Sequence, residues 1–258
     1  MIMANTIYRV MRLLYTVLNN NKLGRKLKND FDSYLDKIFY VLQYGIPWRA
    51  IECTKLHYTT YHKFFQKLVE LNIFKITYEI LVKVYCKHNP EKIKTLFIDS
   101  SMIKNINGKD NTGRNHYDRN RKGNKITVLV NSMGIPVSIH LSPANIHDAK
   151  LIETAISNSV VKILKTKIVS DKGYINQKVK NKLRRTVNIG LIYPYRKNQK
   201  VKNTSFEKNL LKKRHIVENF FSWLKKYRRI QQRYDSKSIT YLNFIYLGAV
   251  KIIAKKIL

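Results

Sequence analysis

The sequence predicts an α/β protein, a mixed sheet flanked by helices and preceded by a small all-α domain of helix-turn-helix type. Three observations carry this. Apolar residues recur at helical spacing through roughly the first 90 residues. Beyond residue 94 the period shortens to two, in runs bounded by turn residues. Those runs alternate with amphipathic helices, the order expected of a layered sheet.

The helical part comes first. Tyr34, Leu35, Ile38, Phe39, Val41 and Leu42 mark one helix, and Tyr61, Phe64, Phe65, Leu68 and Val69 mark another. Between them lies "YGIPWRAIECTKLHYTTYHKFF". Gly45 suits a helix end, and Pro47 suits the first turn of a short helix, where its missing N–H costs nothing. Thr59 or Thr60 is a candidate cap for the basic third helix. This order matches a helix-turn-helix, or equally an ordinary helical bundle. "KHNPEKIK" (87–94) reads as a linker. The expected domains are 1–90 and 91–258.

The sheet follows. "IKTLFIDSS" reads as a buried strand ending at Asp99. Ile126, Val128 and Val130 alternate, "NSMG" turns, and Val137, Ile139 and Leu141 alternate again, which is a hairpin. "GKDNTGRNHYDRNRKGN" (108–124) reads as an exposed basic loop that holds Arg121 and Lys122. "IHDAKLIETAISN" reads as a helix capped by Asp148, although His147–Asp148 is also a conceivable metal pair. "TKIVSDKGY" is a strand ending at Asp171, with Gly173 free to take a positive φ. "INQKVKNKLRR" is a helix and "NIGLIYPY" a strand. A long helix is expected from about 208 to 228 and a buried one from about 239.

Composition narrows the function. The 258 residues hold 50 Lys plus Arg against 16 Asp plus Glu, a formal charge of +34. A small domain needs a net charge of only about 2–8 to stay soluble. The excess implies a polyanionic partner, with nucleic acid first. Cys53 and Cys86 form no CxxC pair, which argues against a disulfide framework or a thiolate zinc site and suits a reducing compartment. The N-terminus is interrupted by Arg9 and Arg12 and does not read as a signal peptide. The uncharged run 241–250 is shorter than the about 20 residues that span a bilayer. The expectation is a cytoplasmic, nucleoid-associated protein with no membrane partner.

Against this charge the acids stand out. Asp99 and Asp171 fall at strand ends, where open α/β sheets bind ligands. Glu218 is the one acid in "KKRHIVENFFSWLKKYRRI". Three carboxylates brought together repel unless cations neutralise them. Hard divalent ions with oxygen ligands do so, and two about 3.5–4 Å apart support phosphoryl transfer. Arg214, Glu218 and Lys225, at i, i+4 and i+11, share one face of the expected long helix, while Ile216, Phe220, Trp223 and Tyr227 share another. The plain alternative for Glu218 is a surface pair with Arg214.

Several blocks resemble a known family in the right order. "YGIPWRAI", "DSS" at Asp99, "GIPVSIHLSPANIHDAKLIE", "SDKGY" and "KKRHIVENFFSWLKKYRRIQQRYD" are similar to the signatures of DDE transposases of bacterial insertion sequences, in the insertion-sequence-five group of the four/five superfamily. The likeness runs from about residue 31 to 250. It departs at Leu211, where the family often has Tyr. The resemblance implies a ribonuclease H-like catalytic domain with Asp99, Asp171 and Glu218 as a triad for Mg²⁺ or Mn²⁺, two ions per site. It implies binding of element ends and target as double-stranded DNA, through Arg214, Lys225, Trp48, Arg49, Arg121 and Lys122. It also implies a homodimer or higher assembly. Two other readings stay open: a catalytically silent DNA-binding derivative, or another nuclease of the same fold.

Overall fold

The structure is a computed structural model describing residues 2–19, 30–52, 56–116, 118–195 and 202–257, with side chains from residue 6 onward. Cys53 and residues 196–201 lie outside the described residues. The chain forms two compact units. One gathers Met1–Leu81, Ile106–Asp110 and Leu224–Leu258, and the other Val82–Asn105 and Asn111–Trp223. The expected split near residue 90 is thus redrawn, because the C-terminal segment packs with the N-terminal helices.

The helical unit is built on aromatic contacts. Helix α1 spans Ile2–Asn19 and α2 spans Phe31–Tyr44, ended by Gly45 at φ +67°. A 3₁₀ turn at Trp48–Ala50 leads to α3 (Tyr58–Glu70), followed by α4 (Ile73–His88). Thr59 and Thr60 lie inside α3 rather than capping it; His57 holds the cap position, and its Nδ1 lies 2.9 Å from the Thr59 hydroxyl. After α9 (Arg228–Gln231), α10 covers Ser238–Ile257. It is buried on most sides along its uncharged run 241–250, as a largely apolar stretch requires. Phe244 of α10 stacks on Phe65 of α3 with ring centroids 4.5 Å apart, and Tyr246 stacks on Tyr78 at 5.2 Å. These rings explain why the last segment belongs with the first.

Polar groups fix the same unit. Arg233 is fully buried and pairs with the Asp110 carboxylate. It also donates to the Asp110 carbonyl at 2.7 Å and the Asp235 carbonyl at 3.0 Å. Ser238 donates its backbone N–H and its hydroxyl to the two Asp110 oxygens, each at 2.7 Å. Asp110 thereby closes the first turn of α10 onto the 106–110 segment.

The other unit holds the sheet. Strand β1 is Thr95–Asn105, β2 Gly113–Asn115, β3 Arg121–Asn131, β4 Pro136–Pro143, β5 Lys167–Val169 and β6 Gly190–Ile192. The order is β2-β3-β1-β5-β6, with β4 also on β3. β1 runs antiparallel to β3 and parallel to β5, and β5 runs parallel to β6. With the helices described next, this is the mixed sheet flanked by helices that the sequence predicts. The hairpin stands as expected: Asn131 Oδ1 accepts from the N–H groups of Met133 and Ile135, and Gly134 takes φ +71°. The basic loop does not stand whole. Arg121 and Lys122 begin β3, because their backbones pair with Asn115 and Arg114 of β2.

The helices of this unit are α5 (Asp148–Ser157), α6 (Gln177–Val187), α7 (Ser205–Lys212) and α8 (His215–Leu224). The expected helix from 208 to 228 is therefore broken. A capping box between Thr204 and Glu207 starts α7. At its end the backbone tightens to i→i−3 bonds, Arg214 to Leu211, Ile216 to Lys213 and Val217 to Arg214. The buried side of α8 is Val217, Phe220, Phe221 and Leu224, rotated by about a residue from the expected face. Arg214 sits in the break, and Lys225 lies past the end of α8 in residues of the helical unit. The common face with Lys225 is withdrawn.

Candidate active site

Strand pairing positions Asp99. β1 keeps β5 beside it only through Phe97↔Val169, while β3 stays alongside as far as Lys104↔Gly123. Asp99 is thus the fifth residue of an eleven-residue strand rather than its end. It lies just beyond the reach of the parallel neighbour, so the crevice argument holds on that side. Asp171 lies two residues past β5 and caps a 3₁₀ turn, Lys172–Tyr174, accepting from the Lys172 N–H. Gly173 does not take a positive φ, because the turn is right-handed. Its use is room: a Cβ there would stand 3.2 Å from Asp148 Oδ2.

Glu218 comes from the first turn of α8, and Arg214 from the break before it. The guanidinium lies among all three acids. It is 3.7 Å from Asp99, 3.8 Å from Asp171 and 3.9 Å from Glu218. These are ion pairs without hydrogen bonds. Arg214 Nε is buried with no hydrogen-bond partner among the described residues. The Asp171 and Glu218 side chains are 52% and 57% exposed, whereas Asp99 is 24% exposed, so one acid is anchored and two face solvent. Burial pushes the Asp99 carboxyl above its ordinary range. The Ser100 N–H and Arg214 pull it back, and the charges of Asp171 and Glu218 push it up again.

Hydrogen bonds beneath the site tie together the elements that bear Asp99 and Asp171. The Ser100 hydroxyl lies 2.8 Å from the Thr127 hydroxyl and 2.6 Å from the Tyr174 phenol. Tyr174 is buried, and burial drives its pKa well up, so it stays neutral. It ties the turn bearing Asp171 to the strand bearing Asp99. Beside it, Lys125 donates to Asp148 at 2.8 Å and to the Ile146 carbonyl at 2.7 Å. Asp148 is therefore an ion-pair partner, and the α5 cap is His147, whose Nδ1 accepts from Ala149 at 3.2 Å. Ser100 and Tyr174 stood in the quoted blocks, but their partnership joins residues far apart in the chain. Nothing local marked Lys125 as buried.

The remaining candidates fall elsewhere. Trp48 packs on His62 at 5.2 Å and Phe65 at 5.3 Å, which gives it a packing role in the helical unit. Arg49 is exposed on the same turn. Arg121 and Lys122 are exposed at the start of β3.

As placed, the acids are spaced for a guanidinium. Among the described residues, no three or more His, Cys, Asp or Glu gather closely enough to hold a metal ion. Their chemistry still suits a hard divalent cation: the donors are all carboxylate oxygen, and the single guanidinium of Arg214 meets three carboxyl groups.

Residues 90–249, more than half of the chain, match the family described as the transposase DDE domain. The chain belongs to that family. No curated protein matches the sequence at a significant level. Among solved structures the chain is similar to a piggyBac transposase synaptic complex with hairpin DNA, at 9% identity over 97% of this chain and 72% of that one, TM-score 0.49. It is also similar to a Mos1 transposase paired-end complex with the left transposon end, at 11% identity over 95% and 79%, TM-score 0.32. Likenesses at these scores carry no weight for the fold, which rests on strand order and register. Among the described residues no helix is long and apolar enough to cross a membrane.

Proposed function

We propose that this chain is a DNA transposase of the insertion-sequence-five group, acting on double-stranded DNA at the ends of its own element. The observation that supports it best is the meeting of Asp99, Asp171 and Glu218 around Arg214, in a chain of the transposase DDE family. Asp99, Asp171 and Glu218 would hold Mg²⁺ or Mn²⁺, two ions per site. Bound ions would activate the attacking oxygen and offset charge on the leaving one. Arg214 offsets part of the acids' charge in their absence and would turn toward a phosphate. Buried Asp99, fixed by Ser100 and Tyr174, sets the frame, and the exposed Asp171 and Glu218 adapt around it. Water attacks the phosphorus at the element end and frees a 3′-hydroxyl, which then attacks a target phosphodiester. Basic side chains, among them Arg49, Arg121, Lys122 and Lys225, hold the backbones. Work at two ends calls for a homodimer or higher assembly.

The experiment compares wild type with Glu218→Gln on duplexes carrying the element's ends, with Mg²⁺ or Mn²⁺ present. Cutting should fall by orders of magnitude in the variant while duplex binding stays intact. Cutting near the wild-type level by the folded variant would return Glu218 to a surface partner of Arg214. No cutting by either protein would favour a silent DNA-binding derivative.

A further inference from the structure

The sheet's far edge carries a second feature, independent of the three acids. Among the described residues, strand β6 ends the order on that side, pairing only with β5. Along it, between α6 and the start of α7, runs a cavity of about 320 Å³. Its charged lining is Lys167, Lys180, Arg184 and Glu207, and its aromatic wall is Phe206. Three cations therefore face one carboxylate, and that carboxylate is already engaged. Glu207 accepts from the Thr204 N–H at 3.0 Å and from Asn203 at 3.3 Å as part of the α7 cap.

The cations are arranged around rings. Lys167 Nζ lies over the Phe206 ring, 4.0 Å from its centroid. Lys180 donates to the Tyr195 hydroxyl at 3.0 Å and sits 4.7 Å from the Tyr193 ring centre. Phe206 itself is 53% exposed. Phe206 carries one ammonium, Lys167, over its half-exposed ring, and Lys180 lines the same cavity; ring and cations together are the pairing that single-stranded nucleic acid uses. The cavity is at the small end of ligand sites, too tight for a duplex and wide enough for one nucleotide. The β6 strand that lines it is tied to the residue before Asp171: Ser170 donates its N–H to the carbonyl of Ile192.

We infer that this groove binds one nucleotide of an unpaired DNA strand, its base stacked on Phe206 and its phosphate held by Lys180 and Arg184. The inference rests on the proposed function for its ligand class: a strand parted from its complement at the cut would be led along the β6 edge.

The test uses the full chain and a labelled oligothymidylate of about ten nucleotides, beside a duplex of the same length. Phe206→Leu keeps apolar bulk and removes the ring; Phe206→Tyr keeps the ring. Single-strand affinity should drop about 5–10-fold for Leu and stay near wild type for Tyr. Duplex affinity should change less than about twofold for both. A strand carrying 5-iododeoxyuridine should crosslink to the peptide containing Phe206. Unchanged single-strand affinity in Phe206→Leu, equal losses on strand and duplex, or crosslinking elsewhere would overturn the inference. Circular dichroism checks folding. The outcome is separable from the cleavage experiment: a Phe206→Leu defect in a chain that cuts nothing would establish the strand site and reject the chemistry.

Discussion

The Arg214 guanidinium stands 3.7 Å from the Asp99 carboxylate without forming a hydrogen bond to it. A cation in that place must compete with any divalent ion the acids recruit. Arg214→Gln should therefore bind Mn²⁺ more tightly, by about tenfold, or 1.4 kcal/mol. Electron paramagnetic resonance of free Mn²⁺ during titration reads this without DNA or turnover. Equal or weaker affinity in the variant would show that Arg214 organises the acids instead of opposing the ion.

Asp110 supplies a pH dependence of stability. Burial alone would raise its pKa, but hydrogen bonds from Ser238 and the charge and hydrogen bond of Arg233 outweigh it and leave the pKa lowered. A carboxyl with a depressed folded pKa binds fewer protons folded than unfolded. Its stabilisation is full above the unfolded value of 3.8 and fades as pH falls through the folded one. Asp110→Asn should be less stable than wild type in urea at neutral pH, and the gap should narrow below about pH 4. A gap that stays constant would remove the charge from the explanation.

Two glycines differ in why they are needed. Gly45 holds φ +67°, and an added Cβ would fall 2.9 Å from Arg228 Cβ. Gly248 lies in α10, where a Cβ would meet Ile230 Cδ1 at 2.8 Å. Gly45→Ala should cost about 1–2 kcal/mol from backbone strain, with the clash added. Gly248→Ala should cost about 1–3 kcal/mol by overpacking, despite alanine's better helix propensity. Thermal melting checks both, since each kcal/mol moves the midpoint by about 2–4 °C in chains of this size. A more stable Gly248→Ala would mean that Ile230 yields freely.

The +34 charge predicts salt-sensitive DNA affinity. Each phosphate neutralised contributes about −0.9 to the slope of log affinity against log salt. The measured slope for duplex DNA should be steeper than about −3. A shallower value would place most of the lysines off the DNA path.

Much of this was legible in the sequence, and the gaps share a cause. The 126–141 hairpin could be read because alternation and the turn after Asn131 are local. Asp99 was placed at a strand end because its own run stops looking apolar there, whereas β1 continues on pairing supplied by β3. Arg121 and Lys122 looked like loop for the same reason, since β2 supplies their partners. The long helix was overextended because amphipathic spacing persists across the break, and only the shortened bonds near Arg214 reveal it. The meeting of Asp99, Asp171 and Glu218 around one arginine depends on the whole sheet, so spacing could suggest it but not set it.

The packing of Phe244 on Phe65 has a consequence for synthesis. The helix carrying Phe65 leaves the ribosome well before Phe244 has been made. At about 5–20 residues per second, the intervening chain takes roughly ten to forty seconds to translate. During that wait the aromatic face of the early helices has no lid. The nascent chain must hold an apolar surface open while the sheet unit emerges and folds, which invites chaperone binding. A truncated product ending before α10 should collect with chaperones or aggregate rather than persist as a folded fragment.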